Sequence, residues 1–131
     1  MPPQLTTTRW GLPSETTNDP SPQDLRAGIE SLDGSHRSAL YLALVPSDLG
    51  TYLAVAGGSD NHFLVFISEA NQWFTEAITP DAKVATIELV VDGQPGEFAL
   101  RQLVTRHEAI GAALHYLLTG QPSPRLTWQK R

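Results

Sequence analysis

The chain has no cysteine among its 131 residues. This absence excludes a disulfide framework, a thiol nucleophile and a zinc site with thiolate ligands. No stretch approaches the roughly 18 uninterrupted apolar residues of a membrane-spanning helix, and the first residues lack the basic and apolar regions of a secretory signal. The sequence therefore predicts a cytoplasmic protein with no membrane partner.

Basic residues are scarce in the middle of the chain. Between Gly11 and Leu100 there are 13 acidic and 3 basic residues, and the formal net charge of the whole chain is −5. Nucleic-acid binding needs basic groups that displace counterions, so this acidic middle argues against direct binding of nucleic acid. It suits a basic protein partner, because complementary charge speeds encounter, but an acidic surface also serves solubility alone.

Sequence motifs for catalysis and metal binding are missing as well. The chain contains no nucleophile elbow, no Walker loop and no G-x-G-x-x-G pattern. His107 and His115 lie beyond the i, i+4 spacing that brings two helical ligands to one metal. Gly111 stands where an H-E-x-x-H motif starting at His107 would need its second histidine. We therefore expect no catalytic residues, no metal and no cofactor, and predict that the protein is not an enzyme.

The length predicts a single domain over residues 1–131. Residues 1–20 are rich in Thr, Pro and Ser, and we expect an extended arm that Trp10 pins to the body. The body is predicted to span residues 21–128, with a short tail at 129–131.

Two helices have clear sequence boundaries. Ser21 is the predicted N-cap of a short helix that Gly34 stops. Thr105 and Glu108 form a T-x-x-E capping box at the start of a longer helix, and Gly120 is its predicted end.

Four apolar segments with turn residues between them predict an antiparallel meander: Ser38–Val45, Thr51–Ala56, His62–Ser68 and Gln72–Ile78. A hairpin follows at Ile87–Phe98. The predicted fold class is α+β, an antiparallel sheet of about five to seven strands with both helices packed on one face. Several strands are apolar on both sides, so the second face needs a cover, either the terminal arms with their tryptophans or a partner.

The hairpin at Ile87–Phe98 has an unusually elaborate turn. Asp92-Gly93 tolerates the positive φ of a tight reversal, and Gln94-Pro95-Gly96 adds further turn residues. This is more than a two-residue turn requires. Either the hairpin is simply wide, or it presents Asp92, Gln94 and Glu97 to a partner.

The neighbouring aromatic residues Trp73 and Phe74 are predicted to have different roles. Phe74 is predicted to pack beneath the C-terminal helix. Trp73 alternates to the opposite face, near Glu69 and Glu76. Aromatic residues flanked by carboxylates are typical of a protein-binding patch.

Several short motifs occur in a fixed order, namely Leu32-Asp33-Gly34, Gly57-Gly58, Trp73-Phe74, Gly93-Gln94-Pro95, Leu117-Leu118-Thr119-Gly120 and Leu126-Thr127-Trp128. Each alone is a common combination. Their order and spacing, over about Pro22 to Trp128, resemble the Imm1 family of bacterial immunity proteins.

The resemblance implies an α+β protein, encoded beside a polymorphic toxin, that binds this toxin and neutralises it. Toxins linked to the family are often nucleic-acid deaminases of the SCP1.201-like type, or nucleases. The implied mechanism is steric, with acidic residues meeting the basic cleft of the toxin. The resemblance transfers no individual interface residue. The candidate partner-binding residues, chosen on physical grounds, are Asp60, Glu69, Trp73, Glu76, Asp92, Gln94 and Glu97.

Two other functions fit the same sequence. The first is a small-ligand-binding or catalytic α+β domain with its site in a closed pocket on the second apolar face; a filled face would count against it. The second is an acidic structural subunit whose apolar surface forms a weak homodimer.

Overall fold

The computed structural model describes residues 2–131 as an α+β architecture with two helices, a seven-stranded antiparallel sheet and a separate two-stranded sheet. The prediction of the fold class is confirmed. The strands are β1 (Gln4–Arg9), β2 (Leu12–Asn18), β3 (Ala39–Ala43), β4 (Tyr52–Gly57), β5 (Phe63–Glu69), β6 (Trp73–Ile78), β7 (Thr86–Val91), β8 (Gln94–Ala99) and β9 (Thr127–Lys130). The helices are α1 (Pro22–Glu30) and α2 (Arg106–Thr119), and short 3-10 turns occupy Ser59–Asn61 and Leu100–Gln102.

The large sheet has the strand order β2-β1-β3-β4-β5-β6-β9. Its centre is the predicted meander, in which each of β3 to β6 pairs with the next strand along the chain. The N-terminal segment, expected as an extended arm, forms the β1–β2 hairpin at one edge. Leu5 holds this hairpin in the core, whereas Trp10 remains 68% exposed. Main-chain pairing and Leu5, rather than Trp10, therefore attach the segment to the body.

Both helices begin at reciprocal capping boxes; the sequence predicted the box at Thr105 and Glu108, and for the first helix it predicted only Ser21 as the N-cap. Ser21 Oγ accepts from the Asp24 N–H while the Asp24 carboxylate accepts from the Ser21 N–H, and Thr105 and Glu108 form the same pair of bonds. Each box satisfies two of the N–H groups that a helix start leaves free.

The two helix ends differ in how well the sequence predicted them. α2 ends at Gly120 in the left-handed conformation, as expected. α1 ends at Glu30 with Ser31 as its C-cap, so the predicted stop at Gly34 was wrong. Gly34 instead shapes the following turn, where its φ is +72° and a Cβ would meet Ser59.

The first face of the sheet carries the main hydrophobic core. α1 packs against α2, and both helices bury their apolar stripes on this face. Trp128 of β9 also packs there, and its Nε1–H donates to the Ser123 carbonyl at 2.8 Å. The core side chains include Leu25, Ile29, Leu40, Leu42, Leu53, Val55, Phe63, Val65, Ile110 and Ala113.

The β7–β8 hairpin covers part of the second face. The hairpin follows β6 in the chain, but its turn is hydrogen-bonded to Ser38, which directly precedes β3. Because β4 and β5 lie between β3 and β6, the hairpin crosses the sheet. Its inner side chains form a second core together with the sheet residues Ala39, Ala56 and Leu64. The expectation that the terminal arms or a partner cover this face was therefore wrong for the part beneath the hairpin.

Gly57 permits the closest approach of the hairpin to the sheet. A Cβ at this position would lie 2.7 Å from Leu89 Cδ2 and 3.0 Å from the His62 carbonyl oxygen, and the φ of Gly57 is +95°. Any larger residue would displace Leu89 or strain the backbone.

The second face is open beyond the hairpin and carries a row of partly buried aromatic rings. Phe74 lies here, opposite Ser68 and 6.2 Å from the Phe66 ring centre, so its predicted position beneath α2 was wrong. Tyr41 and Tyr52 continue the row with edge-to-face contacts.

Replacing Leu89 with Ala should lower the free energy of unfolding by about 2–5 kcal/mol, because it removes the side chain that packs over Gly57 and leaves a cavity. Leu89 is 1% exposed. Denaturant unfolding followed by circular dichroism measures the change. Val84→Ala, at a fully exposed position just before β7, is the control and should shift stability by less than about 0.5 kcal/mol. Equal effects of the two substitutions would contradict the role of Leu89.

Candidate functional site

The residues predicted for partner contact lie in separate parts of the molecule. Glu69 and Trp73 face each other across the β5–β6 turn. Asp60 lies in the 3-10 turn that precedes β5, at the opposite end of that strand. Asp92 and Gln94 lie at the β7–β8 turn. The structure therefore brings only some of these residues together.

Glu97 lies on the outer side of the β7–β8 hairpin, directly opposite Glu88. Both residues are exposed, and neither forms an ion pair within residues 2–131. Like charges directly opposite each other in a sheet are destabilising. The pair therefore makes this surface receptive to a cation.

Glu76 differs from the other candidates because its side chain is only 4% exposed. Its Oε2 lies 2.9 Å from Arg131 Nε, and the Arg131 guanidinium also lies over the Phe66 ring at 5.1 Å. This carboxylate is already neutralised within the chain. Glu76 therefore belongs to the packing of the second face rather than to an accessible contact surface.

The β7–β8 turn is tighter than the sequence suggested. Val91 pairs with Gln94, so the turn consists of Asp92 and Gly93, with φ values of +51° and +80°. Positive φ at both positions is the pattern of a two-residue hairpin turn. Pro95 lies within β8, and the expectation of a wide turn was wrong.

Buried Ser38 holds this turn against the sheet. The Gly93 N–H donates to Ser38 Oγ at 2.7 Å, and the Ser38 carbonyl accepts from Gly57 N–H at 2.9 Å. Tyr41 adds a hydrogen bond from its hydroxyl to the Asp92 carboxylate at 3.0 Å. Burial and the adjacent Asp92 charge raise the pKa of Tyr41, which keeps this donor protonated. Asp92 is thus exposed but positioned by the fold.

Two loops meet at the end of the sheet that carries Trp73. Gly50, in the β3–β4 loop, accepts hydrogen bonds from Ser68 Oγ at 2.6 Å and from the Asn71 N–H at 3.1 Å. The Ala70 N–H donates to Thr51 Oγ1 at 3.0 Å. The β3–β4 loop and the β5–β6 turn are therefore fixed to each other.

This junction presents exposed apolar side chains, of which the sequence predicted Trp73 but missed Leu49 and Val45. Leu49 is 83% exposed and Trp73 is 66% exposed, and Val45 in the same loop is also exposed. Asp48 and Glu69 are the acidic residues beside them. A signal was available, since Leu49 is a large apolar residue within the polar turn P-S-D-L-G.

Two cavities lie elsewhere. A cavity of about 300 Å³ near the start of α2 is lined by residues that include Asp60, His62 and Glu108. The His62 Nδ1 atom is buried and has no hydrogen-bond partner among residues 2–131. A smaller cavity of about 100 Å³ lies between Trp10 and the β7–β8 turn. Neither cavity is lined by the aromatic row of the second face.

Within residues 2–131, no group of three or more His, Asp or Glu residues is arranged to hold a metal ion. None of the helices described is long and apolar enough to span a membrane.

Comparison with known families identifies the chain. The family model of immunity protein Imm1 matches residues 14–130, which include both helices and the β7–β8 hairpin. The chain belongs to the Imm1 family. Membership implies an immunity protein that acts against a toxin, and it indicates a binding protein rather than an enzyme. No curated protein matches the chain. The exposed carboxylates and apolar side chains of this Imm1 protein are thus candidates for toxin contact.

Removing the Ser38 hydroxyl should destabilise this Imm1 protein by about 1–2 kcal/mol, because Ser38→Ala leaves the Gly93 N–H without its acceptor. Thermal and denaturant unfolding measure the loss. Ser14→Ala, at an exposed position in β2, serves as the matched control and should be neutral. A neutral Ser38→Ala variant would show that the hydroxyl does not fix the hairpin turn.

Proposed function

We propose that this Imm1 protein binds a cognate toxin that acts on nucleic acid, a deaminase or a nuclease. In this proposal it neutralises the toxin in the cytoplasm by covering the active-site mouth or the substrate cleft. Inhibition is stoichiometric and requires no chemistry from the immunity protein. The family resemblance and the charge of this chain support the proposed class of toxin.

The observation that supports the proposal is the surplus of unpaired surface carboxylates. The ion pairs among residues 2–131 use only two of the acidic side chains, Glu15 and Glu76. Asp60, Glu69 and Glu97 are exposed and take part in none of these ion pairs. Their charges are therefore available to an external cation.

A cleft that holds nucleic acid offers such cations. Its Lys and Arg side chains neutralise phosphates, and a negatively charged protein surface can occupy the same groups. Complementary charge accelerates encounter over distances of about 10 Å at 0.1 M salt. Carboxylates on several sides of the protein can contribute to this attraction without all lying in the final contact.

The alternative of a ligand-binding domain is less well supported. It required a closed pocket on the second apolar face of the sheet. The β7–β8 hairpin instead fills part of that face with Leu89, Ile87 and Phe98. The larger cavity, at about 300 Å³, is at the lower limit for small-molecule sites and lies near the start of α2.

The proposal is tested with the toxin domain encoded by the adjacent open reading frame. We expect co-expression to protect cells from this toxin, and a dissociation constant of 1 nM or tighter, equivalent to about −12 kcal/mol. Isothermal titration and surface plasmon resonance measure the affinity at increasing salt, which should slow association. Absence of both binding and protection would refute the proposal.

Charge reversal on the hairpin separates attraction from folding. Glu97→Lys should slow toxin association several-fold at low salt, with little effect in 0.5 M salt, because it reverses one steering charge. The free energy of unfolding should stay constant or rise by about 0.2–1 kcal/mol, since Lys at this position faces Glu88. Glu97→Gln is the matched control with half the change in charge. If neither substitution changed the association rate, electrostatic steering by this surface would be contradicted.

A further inference from the structure

We propose that the toxin is anchored at the end of the sheet where the β3–β4 loop meets the β5–β6 turn. This surface, called the Trp73 end, comprises Val45, Asp48, Leu49, Glu69 and Trp73. The inference rests on the proposed function, since it names where the proposed partner binds. The occupant is a toxin domain with a basic surface around an apolar recess that accepts the indole.

Three of the seven exposed large hydrophobic residues among residues 2–131 belong to this surface. Trp73 and Leu49 are 66% and 83% exposed, and Val45 is also among the exposed large hydrophobic residues. Tryptophan is enriched among the few interface residues that contribute most of a binding free energy. Burial of these side chains would release water from a large apolar area without any change of the fold.

The surface is also rigid. Gly50 joins its two loops through the hydrogen bonds from Ser68 and Asn71. A Cβ at Gly50 would lie 2.5 Å from the Asn71 side chain, so the loops pack closely. Side chains displayed on a fixed backbone lose less conformational entropy on binding. Such preorganisation suits an inhibitor that must bind tightly.

The charge at the Trp73 end selects the partner. Asp48 and Glu69 form no ion pair within residues 2–131. Burial and, to a lesser extent, the charges of Glu69 and Asp48 raise the pKa of Tyr116. Two bases lie at the margin of this surface. Lys130 lies opposite Thr75, and Arg131, whose N–H donates to the Phe74 carbonyl at 3.0 Å, is already paired with Glu76. Cations from a partner would pair with Asp48 and Glu69.

A second copy of this chain fits the surface less well. Two Trp73 ends facing each other across a two-fold axis would bring Asp48 and Glu69 near their own counterparts. Like charges in a contact cost several kcal/mol. A basic toxin avoids this repulsion.

Trp10 provides a matched control for Trp73. It is 68% exposed, close to the value for Trp73, but it lies after β1 near the β7–β8 turn, at the other end of the sheet. Its neighbour Arg9 is basic and contacts Glu15 at 3.6 Å. The two tryptophans have nearly equal exposure but differ in position and in the charge of their surroundings. Comparing their substitutions therefore shows whether these differences matter for toxin binding.

The experiment measures binding of the catalytically inactivated toxin domain from the adjacent reading frame to the full chain by surface plasmon resonance. Trp73→Ala should weaken binding about 30-fold or more, mainly through faster dissociation. Trp10→Ala should change the affinity less than about threefold, as expected outside the central contact. Leu49→Asn should also accelerate dissociation, whereas Val84→Asn, at a second exposed apolar site, should not. Circular dichroism and unfolding midpoints check each variant, and Leu49→Asn decides the matter if Trp73→Ala fails to fold.

The outcomes separate the inference from the proposed function. If the unmodified chain does not bind the toxin, the proposed function fails. If it binds and both Trp73→Ala and Leu49→Asn retain its affinity, the Trp73 end is not the anchor, although the function stands. A dimer of the free chain in light scattering that Trp73→Ala dissociates would assign this surface to a second copy and overturn the inference.

Discussion

The contact between the β7–β8 hairpin and the second face of the sheet is the constraint on which the rest of the structure depends. The central strands carry apolar residues on both sides, and the two helices cover only one side. Without the hairpin, Ala39, Ala56 and Leu64 would lie in water. Leu89 closes this gap because Gly57 has no side chain to keep it away. Burial of the second face thus requires both residues.

This packing determines which parts of the protein remain available to a partner. The hairpin has a buried inner side and an outer side that carries Glu88 and Glu97. At the opposite end of the strands, the short loops leave Trp73 and Leu49 exposed on a fixed backbone. Exposed carboxylates are therefore spread around the molecule, whereas Val45, Leu49 and Trp73 share one end of the sheet. In a binding protein, the charges can accelerate association, and the apolar side chains can slow dissociation of the complex.

The candidate surface could be predicted only in part. The sequence indicated Trp73 and Glu69, because an aromatic residue near carboxylates on an alternating strand is recognisable without coordinates. Leu49 was missed, although a large apolar residue within the polar turn P-S-D-L-G was a signal of its exposure. Glu76 was selected because it is close to Trp73 in sequence, yet Arg131, which directly follows β9 and is distant in sequence, pairs with it. Contacts between residues this far apart produce no periodic pattern in the local sequence, so the sequence does not reveal them.

The sequence by itself determined the elements, namely the two capped helices, the antiparallel meander and a hairpin at Asp92-Gly93, because capping, alternation and turn chemistry act between near neighbours. It also determined the acidic middle and, through ordered short motifs, the resemblance to Imm1. Only the tertiary structure decided that the hairpin covers the second face, that the N-terminal segment is paired rather than loose, and that the β3–β4 loop with Leu49 is joined to the β5–β6 turn beside Trp73. These features depend on packing between distant segments, and packing is settled by the shapes of whole faces rather than by any one stretch of residues.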